Sequence, residues 1–199
     1  MANYTDEAII KLRAEIEQRK WASNIDLSKE QILYGEVYQF AETQFFDDRL
    51  ALMVPREFLP MPEDLTAEKY LTAQKPQVIL TNRDYTIDIT LNLLEGDITE
   101  EQLPLCLQAL KNAICEVYPA TLFFDAEQME AENRAVTYMD FKSFSLGGPI
   151  YNVMFVSVIC GRPLVGTFNC QFEHWEQWRP VVFEMLKTIR EIERGGVKT

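Results

Sequence analysis

The sequence predicts an α+β fold, an α/β/α sandwich with a mainly antiparallel sheet covered by helices. Three observations carry this expectation. Tyr85, Ile87, Ile89, Leu91 and Leu93 alternate with Thr86, Asp88, Thr90 and Asn92, which is strand periodicity with one apolar and one polar face. Leu103, Leu107, Leu110, Ile114 and Val117 step by four and three, one face of a helix. Three long strand-like runs, about Arg134 to Phe144, Ile150 to Cys160 and Pro163 to Phe172, follow one another with only short turns between them.

The elements follow in order. Thr5 or Asp6 caps a first helix running to about Ala22, with Ile9, Leu12 and Ile16 as a thin apolar stripe. Such a stripe suits an appendage, so residues 1–28 are read as a helical extension. From Leu33 to Phe40 the period is two, and Arg49 to Val54 pairs with that run across a turn at Asp47-Asp48. Pro55, Pro60 and Pro62 then punctuate an apolar loop that no helix or strand is expected to occupy. Glu63 to Leu71 is a short helix, Gln77 to Thr81 a strand, and Asn82-Arg83-Asp84 the turn into the alternating run. Gly96-Asp97 ends that run. Thr99 caps the long helix, whose first turn holds Glu100 and Glu101, and Tyr118-Pro119 stops it. Thr121 to Asp125 is a short strand leading into an acidic turn through Glu132. Of the three long strands the middle one is apolar on both faces and belongs inside the sheet. Trp175, Trp178, Val182, Met185, Ile189 and Ile192 mark a closing helix, ended by Gly195-Gly196. Residues 29–194 form one domain on this reading, and 195–199 a flexible tail.

The 199 residues carry 31 Asp and Glu against 19 Lys and Arg, a net charge of -12. No basic run is present to displace phosphate counterions, so neither nucleic acid nor an anionic membrane is an expected partner. The expected partner is another protein, a basic one being the complement of this charge. The first residues show no basic segment followed by a long apolar one, and no apolar run approaches the ~20 residues of a membrane helix. A cytoplasmic location is expected. Cys106, Cys115, Cys160 and Cys170 have no metal-binding spacing. With the last hairpin turning at Gly161-Arg162, Cys170 faces Val153 and Cys160 points to the other side of the sheet. All four are therefore read as free thiols in a reducing compartment.

Catalytic signatures are missing from the sequence. His174 is the one histidine and is read as a helix-start residue. Asp125, Glu127, Glu130 and Glu132 lack calcium-loop spacing. Ser143 to Gly148 lacks a nucleophile elbow, and no phosphate-binding or dinucleotide-binding glycine motif occurs. No catalytic residue, cofactor or metal is expected. Trp175 and Trp178 are assigned to sheet packing. The residues singled out for partner binding are Arg56, Phe58, Leu59 and Met61, interface-favoured types on a loop stiffened by proline.

Certain segments carry a family likeness. Leu50-Ala51-Leu52-Met53-Val54-Pro55 runs a strand into a proline, with Phe58 after it. Lys75 to Thr81 leads into the alternating Tyr85 to Leu93 run, and the hairpin at Gly161 and an amphipathic helix close the chain. From about Leu33 to Glu193 this order resembles the PsbP and Mog-type superfamily, with its DcrB-like and LpqN-like branches. It also resembles an uncharacterised family from Gram-positive gut bacteria that has no assigned activity. The resemblance implies a non-enzymatic binding module, since such relatives include an extrinsic photosystem II subunit, a Ran GTPase partner and lipoproteins. The function expected is a protein-interaction or adaptor module. The alternatives are small-molecule or lipid binding between sheet and helix, or an immunity or chaperone-type protein capping a basic partner.

Overall fold

The computed structural model describes residues 25–70 and 75–192. The expected first helix, its stripe and the C-terminal tail lie outside the described residues. Twelve strands and three α-helices follow in the described chain. They are β1 (Gln31–Leu33), β2 (Glu36–Tyr38), β3 (Phe40–Phe45), β4 (Leu50–Pro55), β5 (Leu59–Pro60), α1 (Glu63–Lys69), β6 (Val78–Thr81), β7 (Asp88–Leu93), α2 (Leu103–Val117), β8 (Leu122–Ala131), β9 (Arg134–Ser145), β10 (Gly148–Ile159), β11 (Arg162–Gln171), α3 (Trp175–Leu186) and β12 (Arg190–Glu191). Every pairing is antiparallel. One sheet has seven strands in the order β5-β6-β7-β11-β10-β9-β8, a second has β12-β4-β3, and β1-β2 stand as a separate hairpin. The α+β class read from the alternation is the one observed.

The large sheet is buried on both faces. On one side α3 and the β3–β4 hairpin close a core through Leu52, Ile89, Phe155, Phe168 and Trp178. On the other, α2 lies over β9 and β10, seating Leu103 and Leu107 against Met139 and Val156. Burial of these side chains, at roughly 1.5–3 kcal/mol each, is the main attraction between the layers. The same cluster reaches from Leu27 to Ile189.

Several local expectations are corrected. The Leu33–Phe40 run is broken, because Tyr34 and Gly35 both take positive φ (51° and 81°) and turn β1 back on β2. The proline loop does hold a strand: Leu59 and Pro60 pair with Thr81 and Leu80 at the sheet edge, where a missing N–H is tolerated. The acidic stretch after Asp125 is strand, not turn. It is the outer strand β8, whose charges and whose irregularity between Phe123 and Ala126 protect an open edge. The last hairpin turns at Cys160-Gly161, both at positive φ, so Cys170 faces Tyr151 and Phe168 faces Val153. Cys160 is exposed, Cys170 is buried, and both thiols are free. The closing helix stops at Leu186, and Arg190 and Glu191 add a strand to β4. The polar face of β7 is not solvated, since Asp88 and Thr90 are buried.

Two predictions follow from the packing. Phe155 lies across Gly166 on β11, where a Cβ would stand 2.1 Å from its Cζ. Gly166→Ala is therefore expected to cost about 1–3 kcal/mol in urea denaturation, and an unchanged midpoint would refute this seating of the ring. The second concerns Glu191, whose Oε2 accepts from the Cys160 N–H at 2.8 Å and meets Arg134 at 3.4 Å. Burial alone would push its carboxyl up, but the Cys160 N–H and the Arg134 guanidinium together hold it below the ordinary value of 4.5. A lowered acid stabilises the fold above its unfolded pKa and ceases to as pH falls through the folded one. Acidification below about pH 4.5 should thus loosen β12, read as lower amide protection factors (exchange relative to the intrinsic rate) at Ile192 and Cys160, and Glu191→Gln should remove that pH dependence.

Candidate functional site

Four segments converge at one corner of the large sheet: the proline loop, the turn from Asn82 to Ile87, the β1–β2 hairpin and the start of α3. The proline loop is held by its backbone. The Arg56 N–H donates to Gln39 O at 2.7 Å, the Phe58 N–H to Pro55 O at 3.1 Å, and the Met61 N–H to Ile79 O at 3.0 Å. These bonds decide where the four singled-out residues point. Phe58 turns inward, its ring centroid 6.2 Å from Tyr38 and 6.0 Å from Trp178. Met61 is buried as well. Arg56 is exposed, and Leu59 is 65% exposed on the edge strand. The loop therefore presents Arg56 and Leu59 to solvent and uses Phe58 and Met61 as anchors.

Asn82 holds the neighbouring turn. It is buried, and its Oδ1 accepts from the backbone N–H groups of Thr86 (2.8 Å) and Ile87 (3.0 Å). Its Nδ2 donates to the Thr86 hydroxyl at 3.1 Å. Satisfied in this way, a buried amide substitutes for a strand ladder and rigidifies the loop. Tyr85 sits at φ 59° at the tip, 44% exposed.

Two depressions flank this turn, and Asn82 lines both. The first is a groove of about 450 Å³ whose apolar walls are Leu59, Pro60, Pro62 and Tyr85, with Glu57, Thr81 and Arg83 also lining it. The second is a pocket of about 230 Å³ lined by Tyr34, Glu36, Tyr38, Asp84 and His174, with Trp178 among the residues beneath. Tyr34 is fixed there by its N–H donating to Gln177 Oε1 (2.8 Å) and its hydroxyl donating to Glu173 O (3.0 Å). Its ring lies 4.4 Å from that of His174. The Tyr38 hydroxyl donates to Glu36 Oε2 at 2.6 Å. Burial, and then the Glu36 carboxylate, push the Tyr38 phenol well above its ordinary value, so it stays a donor.

His174, a helix-start residue by its place in the sequence, stands immediately before α3. What the sequence did not reveal is that the hairpin of β1 and β2 folds over it to form a pocket. No signal within the sequence places Tyr34 and His174, which are far apart along the chain, side by side. Among the described residues no group of three His, Cys, Asp or Glu is disposed to hold a metal ion. Ser145, in the glycine-flanked segment, donates to Gly148 O at 3.0 Å within the β9–β10 turn.

No family model matches the chain, and no curated protein matches it. Solved structures do. The cyanobacterial PsbP (CyanoP) of Synechocystis is similar with a TM-score of 0.56 and 8% identity, over 77% of this chain and 92% of that one. LpqN of Mycobacterium tuberculosis, described as involved in cell envelope biogenesis, is similar with a TM-score of 0.52 and 14% identity, over 78% of this chain and 92% of that one. The fold is PsbP-like, as the order of segments suggested, and identities this low speak to the fold alone.

Asn82→Ala removes four hydrogen bonds from a buried position. It is expected to cost about 1–3 kcal/mol, with amide protection lost first at Thr86 and Ile87. Unaltered protection at those two amides would show that the turn is held by something else.

Proposed function

We propose that the chain is a non-enzymatic protein-interaction module that docks a partner protein at the corner groove. The observation that carries this reading is the groove's wall. Leu59 stands largely exposed and Tyr85 nearly half exposed, on segments that proline and Asn82 hold rigid, in about 450 Å³ of mostly apolar space. An apolar surface of this kind, held in one conformation before binding, loses little entropy when a partner covers it. Glu57 and Arg83, which line it, supply a polar rim, and Arg56 is exposed on the same loop. The net charge of -12 favours a partner with a basic surface and speeds encounter with it.

Lipid or small-molecule binding between sheet and helix has less support. The space between α2 and the sheet is about 230 Å³, and drug-sized ligands occupy pockets of roughly 300 Å³ or more. A cytoplasmic setting goes with the docking reading, supported by four free thiols.

The test is affinity capture from native lysate at low and moderate salt, comparing the unaltered chain with Leu59→Asp. A stoichiometric partner is expected to survive moderate salt on the unaltered chain and to fall by about ten-fold on the variant. A partner lost with salt from both would reduce the interaction to surface charge and overturn the groove. Leu59 is mostly exposed, so the variant should keep the melting temperature of the parent.

A further inference from the structure

The pocket on the other side of Asn82 has a composition unlike that of the groove. Its walls are the rings of Tyr34, Tyr38 and His174 together with the carboxylates of Glu36 and Asp84, and among the described residues no Lys or Arg lines it. Aromatic faces and carboxylates attract the same kind of group. A ring presents a negative face to a cation, and a carboxylate adds a charge-assisted hydrogen bond. Among the described residues the ion pairs lie elsewhere, and neither Glu36 nor Asp84 enters one. Glu36, Glu57 and Asp84 also act together on Tyr38, which places the field of three acids at one ring.

The pocket is not a solvated acidic face of the ordinary kind. It has depth, about 230 Å³, and its lining includes the buried residues Leu33, Ile87 and Trp178. That combination of an apolar bottom and charged walls matches a side chain with an aliphatic stem and a cationic head. Asn82 joins the pocket to the groove, so one docked partner can reach both.

We infer that this pocket receives a cationic side chain, arginine or lysine, from the protein that docks in the groove. The inference rests on the docking reading and adds its specificity: the groove supplies apolar contact, and the pocket selects for a positive residue beside it. Glu36 and Asp84 take the charge, Tyr34 and His174 flank the stem, and Tyr38 holds Glu36 in place through its hydroxyl.

The test needs no partner. The full chain, labelled with nitrogen-15, is titrated with N-acetyl-arginine amide, with the neutral isostere N-acetyl-citrulline amide, and with agmatine. A single side chain is expected to bind with a dissociation constant on the order of millimolar. The arginine amide should shift the Trp178 indole and the Glu36, Asp84 and His174 amides, and the citrulline amide should not. Glu36→Gln and Asp84→Asn should each weaken the arginine amide by about ten-fold without lowering the melting temperature. Equal shifts with citrulline, no localised shifts with arginine, or shifts that survive both substitutions would overturn the inference. Binding of agmatine but not of the arginine amide would also overturn it, since the site would then take a free cation. If arginine fails here while Leu59→Asp still releases a partner, only the pocket is refuted. If arginine binds while Leu59→Asp changes nothing, it is the groove that is refuted.

Discussion

Arg179 leaves the middle of α3 and ends among three strands of the large sheet. Its Nε donates to Asp140 Oδ2 at 2.7 Å and its Nη2 to Asp125 Oδ2 at 2.7 Å. The Tyr151 hydroxyl donates to the same Asp140 oxygen at 2.8 Å, and the Asp125 N–H donates to the other at 2.9 Å. Burial opposes the charge on Arg179, but the Asp140 and Asp125 carboxylates outweigh it and hold the guanidinium charged. Burial, with Asp140 next to it, keeps Tyr151 protonated. A pair so far from water returns little net stability, because desolvation consumes most of the attraction. What it does is fix register. A helix packed by hydrophobic contact alone can slide or rotate by part of a turn at small cost, and a buried guanidinium with defined acceptors cannot. Trp178 is the residue before Arg179, so the bonds that seat α3 also set the ring that lies against Tyr38, Phe58 and Phe168. The corner inherits its geometry from that pair.

The other face of the sheet repeats the device with different parts. Asp88, fully buried on β7, accepts from the Thr81 hydroxyl at 2.8 Å and from the Tyr70 hydroxyl at 3.1 Å, and it pairs with Lys69. Lys69 and Tyr70 end α1, so an aspartate with a tyrosine and a cation ties each outer layer to the sheet. Lys69 also donates to Tyr85 O at 3.0 Å. The tip of the turn that parts the two depressions is thereby tethered to the same buried carboxylate that anchors α1.

These ties explain which parts of the structure were legible in the sequence. The long meander, the helix from Leu103 to Val117 and the inner position of β10 follow from periodicity, because their apolar sets are large and repeat at one period. The buried aspartates were not legible. Asp88 occupies a polar position in a clean alternation, and alternation reports a difference between faces without telling whether the polar face meets water or a hydroxyl. Arg179 sits in a helix whose apolar stripe is legible without it. The second half of β8, after Asp125, reads as an acidic turn in the sequence for a related reason. Its charges protect an open edge, and charge density in a short stretch looks the same in a turn and on an edge. Of the four loop residues, Leu59 and Arg56 reach solvent and Phe58 and Met61 do not. Residue type predicts an anchor and an exposed contact equally well, and only the backbone bonds of the loop separate them.

The corner combines rigidity with exposure, and these usually oppose each other in loops. Proline removes backbone freedom from 55 to 62, Asn82 closes its turn with four bonds, and Tyr34 is held at positive φ by two hydrogen bonds to the start of α3. Left-handed backbone at a bulky aromatic residue is unfavourable and persists only where surrounding contacts determine it. Here those contacts come from Glu173 and Gln177, on either side of the helix start, and Gln177 is two residues before Arg179. A displacement of α3 would therefore release Tyr34, open the wall between it and His174, and change the pocket before it disturbed the meander. The buried pair of Arg179 and Asp140 matters most for this reason: it holds the helix to the sheet so that a distant hairpin can keep one shape.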